Sequence, residues 1–109
     1  MNDRNINDAV DYILLNAKNF AKAKAERIYL EEFRKSLKAI LMQKSSENAI
    51  SAQERDAYAH EEYQQLLLGL KVAVEVEEKL RWDLVGAQAR IDIWRTEQAN
   101  NRIEGKVTI

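Results

Sequence analysis

"EEYQQLLLGLKVAVEVEEKLRWDLVGAQARIDIWRTEQAN", residues 61–100, decides the fold. One series of side chains seven residues apart runs Tyr63, Leu70, Glu77, Leu84, Ile91 and Gln98, and a partner series runs Leu66, Ala73, Leu80, Ala87 and Trp94. Nine of these eleven are apolar or aromatic, which is the pattern of a long helix with a coiled-coil-like seam. Glu77 and Gln98 are the exceptions. A carboxylate on a seam needs a cation opposite, so Glu77 is expected to meet a basic residue of another helix and fix the register rather than act as a catalytic acid.

Upstream, residues 7–44 hold no glycine, proline or turn cluster. Ile6, Val10, Ile13, Ala17 and Phe20 keep helical spacing, and so do Leu30, Phe33, Leu37 and Ile40. The two sets are out of phase across the alanine-rich "AKAKAER", so the expectation is one long helix with a laterally shifted stripe, or two helices meeting at a bend. Asn5 or Asn7 would cap its start. The polar "SSEN" at 45–48 stops the helix. "SAQE" has the form of a capping box, with Ser51 as N-cap and Glu54 reaching back, and predicts a short helix over about 52–58. Whether "YAHEE" interrupts that helix or continues it stays open. Gly105 follows the last arginine, and the expectation is a helical hairpin over 1–102 followed by a tail, 103–109, that leaves the helix.

The two long segments are nearly equal and the connector is short enough to reverse direction. The expected fold is all-α: a long antiparallel two-helix hairpin with a short helical connector, assembling into a helical bundle. Charge supports the pairing. Residues 18–44 carry eight basic side chains against three acidic, and residues 45–80 carry eight acidic against three basic. An antiparallel hairpin satisfies that complementarity within one chain.

Composition bounds the rest. The 109 residues make one domain's worth of chain, rich in strong helix formers, with no proline and three glycines. Cysteine is absent, so disulfides and thiolate metal sites are excluded. No stretch has the length and polarity of a signal or membrane span, which makes a soluble, cytoplasmic protein the expectation. A net charge of −1 argues against a general nucleic-acid binder. His60, the one histidine, has no second histidine to share a metal, and a role at a helix start or on the surface is expected of it. Phosphate loops and nucleophile elbows are missing. The expectation is no enzyme, no catalytic residue, no metal and no cofactor.

One feature is unspent by the hairpin. Trp82 lies on the face opposite the seam, and Val85, Gly86, Ala89 and Ile93 continue that face at spacings of three and four. Two helices cannot bury stripes on both sides, so this face, together with the off-seam Tyr29, is expected to contact a partner or a second copy. A homo-oligomer is the expected cover, with a compact three-helix monomer as the alternative. Arginines interleaved with aromatics in "AERIYLEEFRK" and "IDIWRTEQANNR" raise a rival reading, direct binding of single- or double-stranded DNA through Arg27, Arg34, Lys35, Arg81, Arg90 and Arg95. A structural coiled-coil spacer is a third.

The stretches "AERIYLEEFRKSLKA", "AQERDAYAHEEY" and "EKLRWDLVGAQARIDIWRTEQANNR" resemble a group of short helical proteins of bacteriophages and prophages, over roughly residues 23–102. The resemblance implies a phage-encoded protein in a bacterial cytoplasm, near DNA replication or recombination genes, and carries no functional residues with it. The function expected is therefore a non-enzymatic interaction protein that binds a protein of phage or host DNA metabolism or defence.

Overall fold

The computed structural model describes residues 3–107. It is all-α and comprises α1 (Asp3–Lys44), α2 (Ile50–Ala59) and α3 (Glu61–Val107). By its contacts the chain divides into a turn unit, Lys22–Glu77, and a terminal unit formed by Met1–Ala21 and Glu78–Ile109. In each unit α1 and α3 run antiparallel. Arg27 meets Glu77 in the turn unit, and Tyr12 meets Asp83 while Phe20 meets Arg81 in the terminal unit.

The α3 heptads are realised as read. Tyr63, Leu66, Ala73, Glu77 and Ala87 are buried, and Leu70, Leu80, Leu84, Ile91, Trp94 and Gln98 are half-buried. Helix α1 differs from expectation, because its stripe does not shift. Ile6, Ala9, Ile13, Asn16 and Phe20 are followed in unbroken heptad phase by Ala23, Arg27, Leu30, Arg34, Leu37 and Leu41, every one buried or half-buried. Counting apolar residues alone hid this phase. Asn16, Arg27 and Arg34 hold seam positions, while Val10, Ala17 and Ile40 are exposed and imitate a different register. Each polar seam residue whose contacts are described is satisfied locally or across the seam. The Asn16 amide donates to the Tyr12 carbonyl at 3.0 Å, and Arg27 engages Glu77.

The main apolar cluster lies in the turn unit. Leu37, Leu41, Ala57, Tyr63 and Leu66 are buried together, with Phe33, Met42 and Leu67 packed against them. Helix α1 stops at Lys44, where the polar run begins. The Ser45 hydroxyl donates to the Asp56 carboxylate at 2.6 Å and accepts the Glu47 N–H at 3.2 Å, tying the loop to α2. The expected capping box does not form. Ser51 lies inside α2, whose N-cap is Ala49 with extended backbone, because the helix takes up Ile50 one residue earlier.

His60 separates α2 from α3. Its backbone is extended (φ −66°, ψ 141°), so it ends one helix and begins the next. Its Nδ1 accepts the Glu62 N–H at 3.0 Å and its carbonyl accepts the Gln64 N–H at 3.1 Å. Those are the two bonds of an N-cap residue. The helix-start role expected of this histidine is met. At the ends, α1 begins at Asp3, upstream of the asparagines expected to cap it. Helix α3 continues through Gly105 to Val107, past the point where a tail was expected. A glycine with helical neighbours and negative φ costs propensity without breaking the helix. Residues 108–109 of the expected tail lie outside the described residues.

Candidate interaction surface

In the terminal unit, the outer face of α3 carries the expected stripe. Trp82 is 65 % exposed, and Val85, Gly86, Ala89 and Ile93 are exposed beside it. The heptad frame explains this placement: the seam residues Leu80, Leu84, Ala87 and Ile91 turn toward α1, and a residue two positions away points outward. A β-carbon added at Gly86 would meet nothing within 4 Å, so this stretch of helix surface is open.

Trp82 and Gly86 also border an open groove of about 520 Å³, which Tyr12, Asp83 and Arg90 line as well. Its polar wall is organised around Asp83. The Lys79 ammonium donates to Asp83 Oδ2 at 2.6 Å and the Tyr12 hydroxyl donates to the same oxygen at 3.3 Å. The Lys79 hydrogen bond pulls the Asp83 pKa down, and the same bond raises that of Lys79. Desolvation, then the Asp83 charge, pushes the Tyr12 phenol up. The groove thus sets a carboxylate held ionised beside an exposed indole, an arrangement suited to polar contact at the edge of an apolar one.

The candidate cations are divided between the two units. In the turn unit, Arg27 is committed to the protein itself: its Nε and Nη2 reach both oxygens of Glu77, Nη2 at 3.0 Å, and its Nη1 reaches Glu31 at 3.1 Å. The Glu77 hydrogen bonds raise its pKa further. Arg27 is therefore corrected from a candidate nucleic-acid contact to the seam partner that Glu77 was expected to have. Glu77 is 2 % exposed, the most completely buried large side chain described. Lys35 lies 3.3 Å from Glu32. Arg34 is half-buried and, with Lys35, Lys38, Tyr58 and Tyr63, lines a groove of about 470 Å³. There Lys38 sits 4.8 Å above the Tyr58 ring and 3.5 Å from Glu54. In the terminal unit, Arg81 lies over the Phe20 ring at 5.9 Å and 3.5 Å from Glu78, Arg95 is 3.9 Å from Asp92, and Arg90 lines the Trp82 groove.

Tyr29 belongs to the turn unit, is exposed, and stacks on Phe33 at 5.9 Å between ring centroids. Sequence reasoning overlooked another apolar surface of the same unit. Gly69, Val72, Ala73 and Val76 of α3 face Ala23 and Leu30 of α1 across a groove of about 390 Å³ whose one charged lining residue is Glu26. The signal was present in the three-and-four spacing of Gly69, Val72 and Val76, but it stands next to the stronger seam and reads as its continuation. Among the described residues no three histidine or acidic side chains converge as metal ligands, and no helix is long and apolar enough to cross a membrane. Compared with known proteins, the chain matches no family model, no curated protein and no solved structure.

Proposed function

We propose that the chain is a non-enzymatic, self-associating interaction protein, phage-encoded and acting in the bacterial cytoplasm, that binds a protein of phage or host DNA metabolism or defence through the Trp82 face. The observation that carries the reading is the outer stripe of α3. An exposed indole flanked by Val85 and Ile93, with Gly86 and Ala89 leaving room for close approach, has the composition of a binding hot spot rather than of solvated helix surface. The resemblance to phage proteins supports the setting.

The test compares wild type and Trp82→Ala as bait in infected cells, with matched far-UV circular dichroism. A protein retained by the wild type and lost from a variant of unchanged helix content is the expected result. Equal retention by both would remove the Trp82 face from the account.

A second reading, binding of single-stranded DNA, draws on the turn-unit groove in which Arg34, Lys35 and Lys38 stand beside Tyr58 and Tyr63. It is the weaker one, since Lys35 and Lys38 have carboxylates within reach and Arg27 is spent on the seam. A shift of labelled oligonucleotide that fades with rising salt would favour it, and no shift at low salt would remove it.

A further inference from the structure

We propose that the apolar groove of the turn unit, between Ala23 and Leu30 of α1 and Gly69, Val72 and Val76 of α3, is where a second copy of this chain docks, leaving the Trp82 face for a different protein. The inference rests on the self-association in the reading above and adds its location and geometry.

Exposed apolar surface gives the first reason. Val72 and Val76 of the groove's lining are exposed, and in the same unit so are Tyr29 of α1 and Leu68 of α3. Apart from Glu26 the lining is apolar on both helices, so a partner that covers it removes apolar surface from water.

Charge then selects the occupant and its orientation. Within the turn unit, α1 residues 22–44 carry seven basic side chains against three acidic, and α3 residues 61–77 carry four acidic against one basic. Arg27 pairs with Glu77 and Glu31, Lys35 with Glu32, and Lys38 with Glu54 of α2, and setting these aside leaves Lys22, Lys24, Arg34 and Lys44 against Glu26 on α1, and Glu61, Glu62 and Glu75 against Lys71 on α3. The surface excess is therefore positive along α1 and negative along α3, a pattern that a second copy complements. A two-fold axis in the plane of the groove and parallel to the helices lays each α1 along the partner's α3, antiparallel and at the same level. Positive then faces negative on both sides. An axis across the helices would instead set α1 on α1 and α3 on α3, like charge on like.

The favoured axis also sets the contacts. It preserves level, and Arg27 is level with Glu77 within one copy. Two residues further along α1, Tyr29 falls beside the Val72–Val76 ridge of the other copy. Gly69 sits where a larger side chain would enter the groove. In one chain a β-carbon there meets nothing within 4 Å, so a larger side chain starts in open space and leaves the helix intact.

The test is the mass of the full chain by light scattering over a concentration series, for wild type, Gly69→Leu and Gly86→Leu. The wild type is expected to dimerise. Gly69→Leu should weaken the dimer by about 100-fold, roughly tenfold at each symmetric copy of the obstruction, with helix content unchanged or higher. Gly86→Leu should dimerise as the wild type does. Because the chain has no cysteine, a Tyr29→Cys chain mixed with a Val76→Cys chain should form a disulfide-linked pair under mild oxidation that neither forms alone. Dissociation by Gly86→Leu and not by Gly69→Leu would overturn the inference while leaving self-association standing, with the second copy on the Trp82 face. Rapid linkage of Tyr29→Cys to itself would overturn the proposed axis. A wild type that stays monomeric at every concentration would overturn both the docking and the self-association it rests on, while Trp82-dependent capture of a partner would stay open to its own test.

Discussion

Leu41→Ala tests the account of where the chain holds itself together. Leu41 is 2 % exposed and packs with Leu37, Ala57, Tyr63 and Leu66, drawing α1, α2 and the start of α3 into one cluster. The substitution removes three buried carbons, worth about 0.8 kcal/mol each in transfer, or about 2.4 kcal/mol. The space left behind adds to this, because the surrounding helices relax only in part, and the expected total is about 3–4 kcal/mol. Small domains have roughly 5–15 kcal/mol of stability in all. At roughly 4–8 °C per kcal/mol, the melting temperature should fall by about 12–32 °C. Thermal and urea unfolding followed by far-UV circular dichroism at one fixed protein concentration measures it. Leu14→Ala, on the exposed side of α1, is the control and should change stability by less than about 0.5 kcal/mol. A loss below about 1 kcal/mol at Leu41, or an equal loss at Leu14, would refute the placement of the core.

Native-state hydrogen exchange should show amides of the turn unit opening at higher free energy than those of the terminal unit, where Ala9 and Ala87 are the fully buried apolar residues among those described; equal protection would contradict this. Arg27→Leu, which strands a buried carboxylate, should lower the melting temperature sharply, while the double variant Arg27→Leu with Glu77→Leu should melt at or above the wild type; strictly additive losses would refute the pairing. The Asp83 pKa is held down by Lys79, so the stability it contributes is present above the ordinary carboxylate value near 3.9 and disappears as pH falls through the depressed one. Asp83→Asn should therefore lie below the wild type in melting temperature at pH 6, with the gap closing in acid; a gap that widens in acid would reverse the sign. His60→Ala should cost about 1 kcal/mol by removing the acceptor for the Glu62 N–H, whereas His60→Asn retains one and should cost less; no difference between the two would dismiss the cap.

The seam of α3, the pairing of Glu77 with a cation of α1 and the exposure of the Trp82 stripe were legible in the sequence by itself. Each follows from local periodicity: a residue's angular position on a helix is set by its number, and an unbroken helix carries that position over many turns. The course of α1 was not legible, because burial there depends on what stands opposite. Arg27 lies inward since Glu77 meets it, and Val10 and Ile40 lie outward although they are apolar. The start of α2 at Ile50 and the passage of α3 through Gly105 were also beyond reading from residue type, since each balances a cap or a propensity of about 1 kcal/mol against the continuation of a helix. His60 could be assigned to a helix start from its place in the chain, but only the fold brought its ring nitrogen to the Glu62 N–H. The turn-unit groove is the clearest case of all. Its wall is drawn from both α1 and α3, and no single stretch of sequence contains both; bringing them together is an act of tertiary packing, as is the partition of six candidate charges into those spent within the chain and those left for a partner.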